Sequence, residues 1–274
     1  MTQPSVDTKA LIEEICLLAE NAGAHAMRFY RGHTSVVLKS DSSPLTDADR
    51  ASHNFILQFL PGLIPGSPII SEESQDPTHD LTDAEECFWL VDPLDGTKEF
   101  LKGTGEFTVN IALVERGRPV LGVVYAPALG RFYFADSKVG AFRRDNHGAP
   151  VPLRTRSSVG EPLRVVASKD HAGPLIQSML AHLPDVELKS MGSSLKFCLV
   201  AEGQADIYLR DIPTMEWDTA AAQCVVEAAG GSVCTLDGSP LRYGKPGLKN
   251  PAIITVGNPA LPWKTFLEVK KSDA

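Results

Sequence analysis

The amino-acid sequence predicts a layered α/β fold in which two halves of the chain meet at a cleft. Two helical patterns open the chain, a run of strand-like segments follows, and strand and helix patterns then alternate. This order favours sheets whose faces are covered by helices. With 274 residues, of which 43% are hydrophobic and 22% charged, the chain is able to bury a large core.

The N-terminal segment predicts two amphipathic helices. Apolar residues recur at helical spacing from Leu11 to Phe29, so the first helix should extend over about six or seven turns. A second helix is predicted to begin near Thr46, because Thr46 and Asp49 have the spacing of a capping box. It is expected to end at Pro61–Gly62, and its expected buried stripe consists of Phe55, Ile56, Phe59 and Leu60.

The middle of the chain is rich in strand-like segments. They lie between Ile69 and Phe142, and turn residues separate most of them. In order they read SPIIS, CFWLVD, FTVNIALVE, PVLGVVYAP, GRFYFA and GAFRR. The stretch from PVLGVVYAP to GRFYFA predicts consecutive antiparallel strands.

Strand and helix patterns alternate in the last part of the chain. LRVVAS, ADIYL and AIITV predict strands, whereas AGPLIQSMLAHL, SSLKFCLVAEG and WDTAAAQCVVEAAGG predict helices. A final helix is expected after Pro259. The polar stretch near residues 145–160 predicts a boundary between an N-terminal α+β half, residues 1–150, and a C-terminal α/β half, residues 151–274.

Charge and cysteine content narrow the classes of function. The formal net charge of −8 disfavours binding to nucleic acid or to an anionic membrane. The five cysteines are scattered without a C-x-x-C pair, which predicts a reducing compartment. The N-terminus has no secretory pattern and no apolar run approaches membrane-spanning length. These observations predict a cytoplasmic protein, with peripheral attachment to the cytoplasmic face of the inner membrane left open.

Two carboxylates follow an apolar run in the stretch WLVDPLDGTKEF, residues 89–100. The strand is expected to end at Asp92, and Asp95-Gly96 is a strong turn dipeptide. Such a turn can direct both carboxylates and the Leu94 carbonyl toward one point. Like charges placed together repel unless a cation lies between them, and oxygen-only ligands suit Mg²⁺.

Further acidic residues occupy similar positions. Glu72 and Glu73 follow the short apolar run PIIS, and Asp218 follows Trp217 where a helix is expected to begin. Each has an ordinary alternative as a solvated residue or a helix cap, but their coincidence at element ends favours a metal site. If GTKEFL begins a helix, its free N–H groups would bind a phosphate beside the metal, although Thr97 would also serve simply as the cap.

Three blocks of this sequence resemble the inositol monophosphatase superfamily of metal-dependent, lithium-sensitive phosphatases. They are SEES at 71–74, DPLDGT at 92–97 and WDTAAAQCVVEAAGG at 217–231. The resemblance implies an αβαβα layered sandwich of the sugar-phosphatase type. DGTKEF and GSSLKFCLVAEGQAD, at 192–206, further resemble 3′(2′),5′-bisphosphate nucleotidases of the CysQ type. Those enzymes convert 3′-phosphoadenosine 5′-phosphate to AMP and phosphate during sulfate assimilation.

The resemblance implies roles for individual residues. Glu72, Asp92 and the Leu94 carbonyl would hold one metal ion, and Asp92, Asp95 and Asp218 a second, with roughly two or three Mg²⁺ ions per active site. Asp49 with Thr97 would take the proton of the attacking water, and Glu73 would either bind water nearby or support a metal ligand. Most ligands would thus come from residues 1–150 and the last from residues 151–274.

Substrate contacts are also implied. The expected substrate-binding residues are Gly96, Thr97, His171, Ser193, Lys196 and Arg210. Lys196 and Arg210 supply positive charge for a second phosphate, although Lys196 alone would also suit a solvated helical lysine. The alternatives are an inositol monophosphatase or another sugar-phosphate phosphatase of the same fold, and a non-catalytic metal- or phosphate-binding regulatory protein. The chain is expected to be a monomer or a homodimer.

Overall fold

The computed structural model describes residues 8–32, 35–38, 44–74, 87–158, 162–167, 174–183 and 185–267. In these residues the helices are α1 (Thr8–Met27), α2 (Asp47–Phe59), α3 (Thr97–Lys102), α4 (Pro174–His182), α5 (Leu195–Ala201), α6 (Ala220–Ala228) and α7 (Lys264–Leu267).

The strands of the first half of the chain form mainly one large sheet. They are β1 (Val36–Leu38), β2 (Pro44–Thr46), β3 (Ile69–Ser71), β4 (Cys87–Asp95), β5 (Thr108–Glu115), β6 (Arg118–Ala126), β7 (Arg131–Asp136), β8 (Gly140–Asp145) and β9 (Val151–Pro152). Strands β3 to β9 lie side by side in chain order as a seven-stranded sheet. Strand β3 pairs parallel with β4, and every later pair is antiparallel.

The second half contributes a smaller, mixed sheet. The strands of this half of the chain are β10 (Leu163–Ala167), β11 (Val186–Ser190), β12 (Ile207–Arg210), β13 (Thr214–Met215), β14 (Ser232–Thr235), β15 (Lys249–Asn250) and β16 (Ile253–Val256). Five of them form a sheet in the order β11-β10-β12-β16-β14. Strand β10 pairs parallel with β11 and β12, whereas β16 is antiparallel to both of its neighbours.

The helices separate and cover the two sheets. One face of the large sheet packs against α1 and α2 through residues such as Ile15, Ile56 and Ile111. Helices α5 and α6 fill the space between its other face and the smaller sheet. Helices α4 and α7 cover the outer face of the smaller sheet. The order helix, sheet, helix, sheet, helix confirms the expected αβαβα sandwich.

Strand β5 shows why the strands of the large sheet are nearly continuous apolar runs in the sequence. Val109, Ile111 and Leu113 pack on the α1 side, and the alternating residues Ala112 and Val114 pack on the α6 side. A sheet that is buried on both faces needs apolar residues at every position rather than at every second one. The core between the sheets mixes residues from before and after position 150. The division at residue 150 stays a prediction.

Several boundaries differ from the expectations. Helix α1 has 20 residues and ends before Phe29, so it is shorter than predicted. The capping box of α2 is confirmed, but Phe59 is 48% exposed because the buried side of α2 instead includes Ala48 and Ser52. Strand β4 continues through Pro93 to Asp95 and does not end at Asp92. Among the described residues, no helix is both long and apolar enough to cross a membrane.

Candidate active site

A β-bulge in β4 brings two carboxylates to the same side of the strand. Asp92 lies opposite Asn110 and Asp95 lies opposite Thr108, so β4 has one residue more than β5 in this interval. Residues three apart on a regular strand would point to opposite faces. The bulge accommodates Pro93, because proline has no N–H to pair with a neighbouring strand. The Pro93 carbonyl accepts a hydrogen bond of 2.8 Å from Ser52 Oγ.

Three carboxylates from separate segments converge beside this bulge. One oxygen each of Glu72, Asp92 and Asp218 lies within 4.8 Å of the others, and we call these three residues the acidic cluster. Glu72 follows β3, and its N–H donates to the Val91 carbonyl at 3.1 Å. Asp218 belongs to a 3₁₀ turn before α6 rather than to the helix itself, and its Oδ2 accepts from the Met215 N–H at 2.7 Å.

The electrostatics of the acidic cluster favour a bound cation. Burial raises the pKa of Asp92 well above its usual range, and Glu72, Asp95 and Asp218 raise it further. Burial likewise raises the pKa of Asp218, with added contributions from Asp95 and Glu72. A divalent cation would relieve this repulsion. Oxygen-only donors fit a hard cation such as Mg²⁺ rather than zinc.

Asp95 is held by residues that the sequence patterns did not single out. Its Oδ2 accepts from the Ser194 N–H at 2.6 Å and from Asn110 Nδ2 at 3.4 Å. Asn110 Nδ2 also donates to Ser194 Oγ at 3.0 Å, and Ser194 Oγ donates to the Asp218 carbonyl at 2.9 Å. Asn110 is a buried polar residue in an otherwise apolar strand. That exception to the apolar pattern is the feature of the sequence that could have identified it as a site residue.

Asp49 and Thr97 are brought together as expected. Thr97 Oγ1 lies 3.3 Å from Asp49 Oδ1 and 3.4 Å from the Leu94 carbonyl oxygen. The other carboxylate oxygen, Asp49 Oδ2, accepts from the Thr46 N–H at 2.8 Å and from Thr46 Oγ1 at 2.5 Å. Asp49 therefore completes the capping box of α2 with one oxygen and faces Thr97 with the other.

Gly96 allows a close approach between α3 and the loop before α5. It has φ +94°, a left-handed conformation that favours glycine, and it precedes α3. A side chain at this position would meet the Glu106 carbonyl at 3.1 Å and Ser193 Cβ at 3.2 Å. Helix α3 does begin at Thr97, and its binding of a phosphate stays a prediction.

A cavity of about 320 Å³ joins the carboxylates to the expected substrate contacts. Its lining includes Asp95, Gly96, Thr97, Ser193, Lys196, Arg210 and Asp218. Ser193 has φ +47° at the turn before α5 and is buried. Arg210 Nε donates to the Ile212 carbonyl at 3.2 Å.

Lys196 is a buried cation and not a solvated helical lysine. Its side chain faces the cavity, and the residue is only 8% exposed. The ammonium lies 5.7 Å from the ring centroid of Tyr208, within the range of a cation–π contact. Burial lowers the pKa of Lys196 while Asp95 raises it.

Two expected site residues are not tied to this arrangement. Glu73 follows Glu72 but belongs neither to the acidic cluster nor to the lining of the cavity. Its predicted role in binding water stays a prediction. His171 lies outside the described residues.

Sequence comparison places this chain among phosphatases, and two of its relatives are named bisphosphate nucleotidases. The family model described as the inositol monophosphatase family matches residues 7–261. The 3′(2′),5′-bisphosphate nucleotidase CysQ of Escherichia coli strain K12 is 45% identical over 235 residues, which are 85% of this chain and 94% of that protein. The enzyme of the same name from Haemophilus influenzae is 33% identical over 260 residues, which are 94% of this chain and 97% of that protein.

Solved structures agree with these sequence relatives. The crystal structure of CysQ from Bacteroides thetaiotaomicron superposes with a TM-score of 0.78 at 37% identity, over 92% of this chain and 97% of that chain. The extragenic suppressor protein suhB from Bartonella henselae gives a TM-score of 0.79 at 26% identity, over 96% of this chain and all of the other (100%). The fold is therefore shared well beyond the bisphosphate nucleotidases.

Proposed function

The chain belongs to the inositol monophosphatase family, and from this premise we propose that it is a Mg²⁺-dependent 3′(2′),5′-bisphosphate nucleotidase. The proposed reaction removes the 3′-phosphate of 3′-phosphoadenosine 5′-phosphate and yields AMP and phosphate, as in sulfate assimilation. One observation carries the proposal most strongly. The lining of one cavity combines the carboxylates Asp95 and Asp218 with the basic residues Lys196 and Arg210.

The proposed metal ligands are carboxylate and carbonyl oxygens. Glu72, Asp92 and the Leu94 carbonyl would hold one Mg²⁺ ion, and Asp92, Asp95 and Asp218 a second, for roughly two or three ions in all. Bound Mg²⁺ supplies charge to the phosphoryl oxygens and lowers the pKa of a bound water. Ser194 and Asn110 hold Asp95 through its Oδ2, and Asp95 would bind the cation through its other oxygen.

The protein itself supplies the proposed path for the proton of the attacking water. Thr97 Oγ1 can accept a proton from water while it donates its own to Asp49 Oδ1, 3.3 Å away. Asp49 is buried and held by the capping box. This orientation costs no rearrangement when the proton moves.

The two basic residues support the choice of a bisphosphorylated substrate. A phosphate that is not being cleaved needs positive charge away from the metal, and Lys196 and Arg210 line the cavity together. Ser193 and Gly96 would contribute contacts beside them. The unbridged cysteines are consistent with the predicted reducing compartment, the cytoplasm. The state of assembly, monomer or homodimer, stays a prediction.

A substrate panel tests the proposal. Phosphate release with Mg²⁺ would be measured on 3′-phosphoadenosine 5′-phosphate, adenosine 2′,5′-bisphosphate, inositol 1-phosphate and fructose 1,6-bisphosphate, with AMP identified chromatographically. The Asp95→Asn variant, purified identically, controls for contaminating phosphatases. We expect kcat/KM to be highest for the adenosine bisphosphates. A preference for inositol 1-phosphate would replace this proposal with an inositol monophosphatase, and no turnover of any phosphate would favour a regulatory protein.

A further inference from the structure

Asp218 is carried by a short segment that has few backbone hydrogen bonds of its own. The 3₁₀ turn Glu216–Asp218 has three residues, and it closes with a bond from the Thr219 N–H to the Glu216 carbonyl at 3.2 Å. Asp218 also faces a repulsive environment, because one oxygen each of Glu72, Asp92 and Asp218 lies within 4.8 Å of the others. Repulsion from these neighbours favours movement of the Asp218 carboxylate away from the metal site. Ser194 Oγ holds the Asp218 carbonyl at 2.9 Å, and the start of the turn needs a contact of its own.

Glu216 provides such a contact and does not belong to the lining of the cavity. Its carboxylate is fully buried (0% exposed), and both of its oxygens are bound. Oε2 accepts from the Gly244 N–H at 2.7 Å, and Oε1 accepts from the Lys245 N–H at 2.9 Å. The ammonium of Lys245 also lies 2.6 Å from Oε1, so the buried charge is paired.

Asn250 extends this connection to both ends of the turn. Its Nδ2 donates to the Met215 carbonyl at 2.8 Å and to Thr219 Oγ1 at 2.9 Å. Its Oδ1 accepts from Lys245 Nζ at 3.1 Å. The loop that carries these groups is in turn bound to the large sheet, since the Tyr243 N–H donates to the Gly117 carbonyl at 3.2 Å.

We propose that Glu216, acting through Lys245 and Asn250, is the positioning residue that holds Asp218 in the acidic cluster and thereby sets the affinity for the divalent cation. The inference rests on the metal ligation in the proposed function. Glu216 acts without touching the metal or the substrate. A displaced Asp218 weakens cation binding before it affects any contact with the nucleotide.

Glu216→Gln tests this role, and Glu202→Gln is its matched control. Glutamine cannot accept at both oxygen positions, so the bonds to Gly244 and Lys245 compete. The Glu202 side chain is also nearly buried (4% exposed) and paired with a basic residue, Arg143, at 3.2 Å. Glu202 belongs neither to the acidic cluster nor to the cavity lining. Mg²⁺ binding would be measured by calorimetry without substrate, and by half-saturation of turnover.

We expect Glu216→Gln to weaken Mg²⁺ binding by about tenfold, as is usual when a partner of a ligand is removed. Glu202→Gln should lower the melting temperature of the metal-free protein but leave Mg²⁺ affinity unchanged. At saturating Mg²⁺ the KM for substrate should be close to wild type in both. Unchanged Mg²⁺ affinity in Glu216→Gln, or an equal loss in Glu202→Gln, would overturn the proposal.

If Glu216→Gln does not fold, Lys245→Met provides a second test of the same role. It removes the ammonium but retains both backbone N–H groups that bind Glu216. We expect weaker Mg²⁺ binding, by about threefold, which is less than the tenfold loss typical of removing a ligand's partner. Wild-type affinity in this variant would contradict the proposal. Because binding is measured without substrate, this result is separate from the proposed function, which the substrate panel on the wild-type protein decides.

Discussion

Lys196 places a cationic side chain in a buried position on the wall of the cavity. In the sequence it suits either a solvated helix position or a phosphate contact, whereas in the fold it is buried beside the cavity. Burial makes a charged lysine costly and lowers the pKa of Lys196, although Asp95 partly offsets this. Once Mg²⁺ neutralises the carboxylates, that offset would be smaller. A substrate phosphate supplies the missing negative charge. The position therefore favours recognition of a second phosphate.

Replacement of Lys196 by alanine should affect substrates with a second phosphate selectively. A charge-assisted contact of this kind contributes about 1.5–3 kcal/mol, so the KM for 3′-phosphoadenosine 5′-phosphate should rise by about ten- to a hundredfold. Turnover of inositol 1-phosphate, which has no second phosphate, should hardly change. Steady-state kinetics on both substrates check this.

Lys98→Ala is the control for Lys196→Ala, because Lys98 also lines the cavity but is exposed. We expect a small effect from it on either substrate, since an exposed charge is screened by water. An equal loss on both substrates in Lys196→Ala would assign Lys196 to the fold or the metal site instead.

Neutralising Asp218 should abolish turnover without destabilising the metal-free protein. Its pKa is raised in the folded state, so folding is favoured where the carboxyl is protonated and loses that advantage as the pH rises through the folded pKa. At pH 8 Asp218→Asn should therefore melt at or above the wild-type temperature in chelator. Calorimetry and a phosphate-release assay measure the two effects.

Asp206→Asn is the contrasting variant for that experiment. Asp206 is buried too, but it accepts from the Arg164 N–H at 2.9 Å and is paired with Arg156 at 3.4 Å. Removing its charge leaves Arg156 without its partner, so this variant should lose stability. If Asp218→Asn loses as much stability as Asp206→Asn, repulsion in the acidic cluster is not significant.

Some site residues can be identified from sequence motifs, and others cannot. Asp92, Asp95 and Asp218 stand in short motifs, so their convergence could be expected from the order of the blocks. Ser194 and Glu216 could not be found in this way. Their partners, Asp95 and Lys245, lie far away along the chain, and only folding brings the groups together.

At the scale of elements, the bulge in β4 and the turn at Gly96 set the geometry of the site. The bulge determines the side to which Asp95 points, and Gly96 determines where α3 begins. Both depend on backbone conformation rather than on side-chain chemistry. A substitution that changes only the backbone preference should therefore alter catalysis.

Gly96→Ala should reduce stability and activity more than Gly66→Ala does, although both glycines have similar positive φ angles. Alanine in a left-handed conformation costs about 1–2 kcal/mol by itself. At Gly96 the new methyl group also meets the Glu106 carbonyl at 3.1 Å and Ser193 Cβ at 3.2 Å. We expect a larger loss of unfolding free energy and a fall in kcat, as Thr97 shifts relative to Asp49. Urea unfolding and steady-state kinetics measure both.

Gly66→Ala separates strain from contact. Gly66 has φ +85°, similar to Gly96, but an added Cβ there would have no atom within 4 Å. This variant should lose stability by about 1 kcal/mol and retain full activity. Equal behaviour of the two variants would mean that the close approach at Gly96 is unimportant for the site.

Elements with a clear apolar pattern could be predicted from the sequence, whereas polar strands and two-residue strands could not. Strands β5, β6 and β7 combine apolar runs with turn residues at both ends, and their positions were expected. Strand β11, with the sequence VELKS, is mostly exposed at the edge of the smaller sheet and has no apolar pattern. The two-residue strands β13 and β15 exist only because they pair with each other.

At the scale of the whole molecule, the acidic cluster joins segments that are far apart in the chain. Glu72 and Asp92 come from the region of the large sheet, and Asp218 comes from the segment that leads into the middle helix layer. A cation bound by all three would connect these regions. Metal binding should therefore stabilise the global fold and not merely order a loop.

Mg²⁺ should raise the melting temperature in a single transition. At a concentration a hundred times the Kd, binding to the folded state alone adds about 2.7 kcal/mol. Ca²⁺ should also stabilise the protein but support little turnover, because its larger and less regular coordination misplaces the attacking water. Differential scanning calorimetry with each ion and an assay in excess chelator check this. Full turnover in chelator would contradict the metal mechanism.

The αβαβα order of the layers could be predicted only through the resemblance to a family. Local patterns gave the helices and strands in order, but they do not specify which face of a sheet each helix covers. Helices α5 and α6 touch both sheets, so their apolar residues point in more than one direction. Periodicity that predicts a helix with a single buried face is insufficient for such a layer.

The position of α5 and α6 in the chain has a consequence for biosynthesis. A ribosome completes the large sheet before it reaches Leu195, so residues such as Leu90, Val124 and Tyr133 emerge without the helices that later cover them. At cellular translation rates this apolar surface stays uncovered for on the order of ten seconds. During that interval the nascent chain is a substrate for chaperones and for aggregation, and the enzyme cannot become active until the last third of the polypeptide has been made.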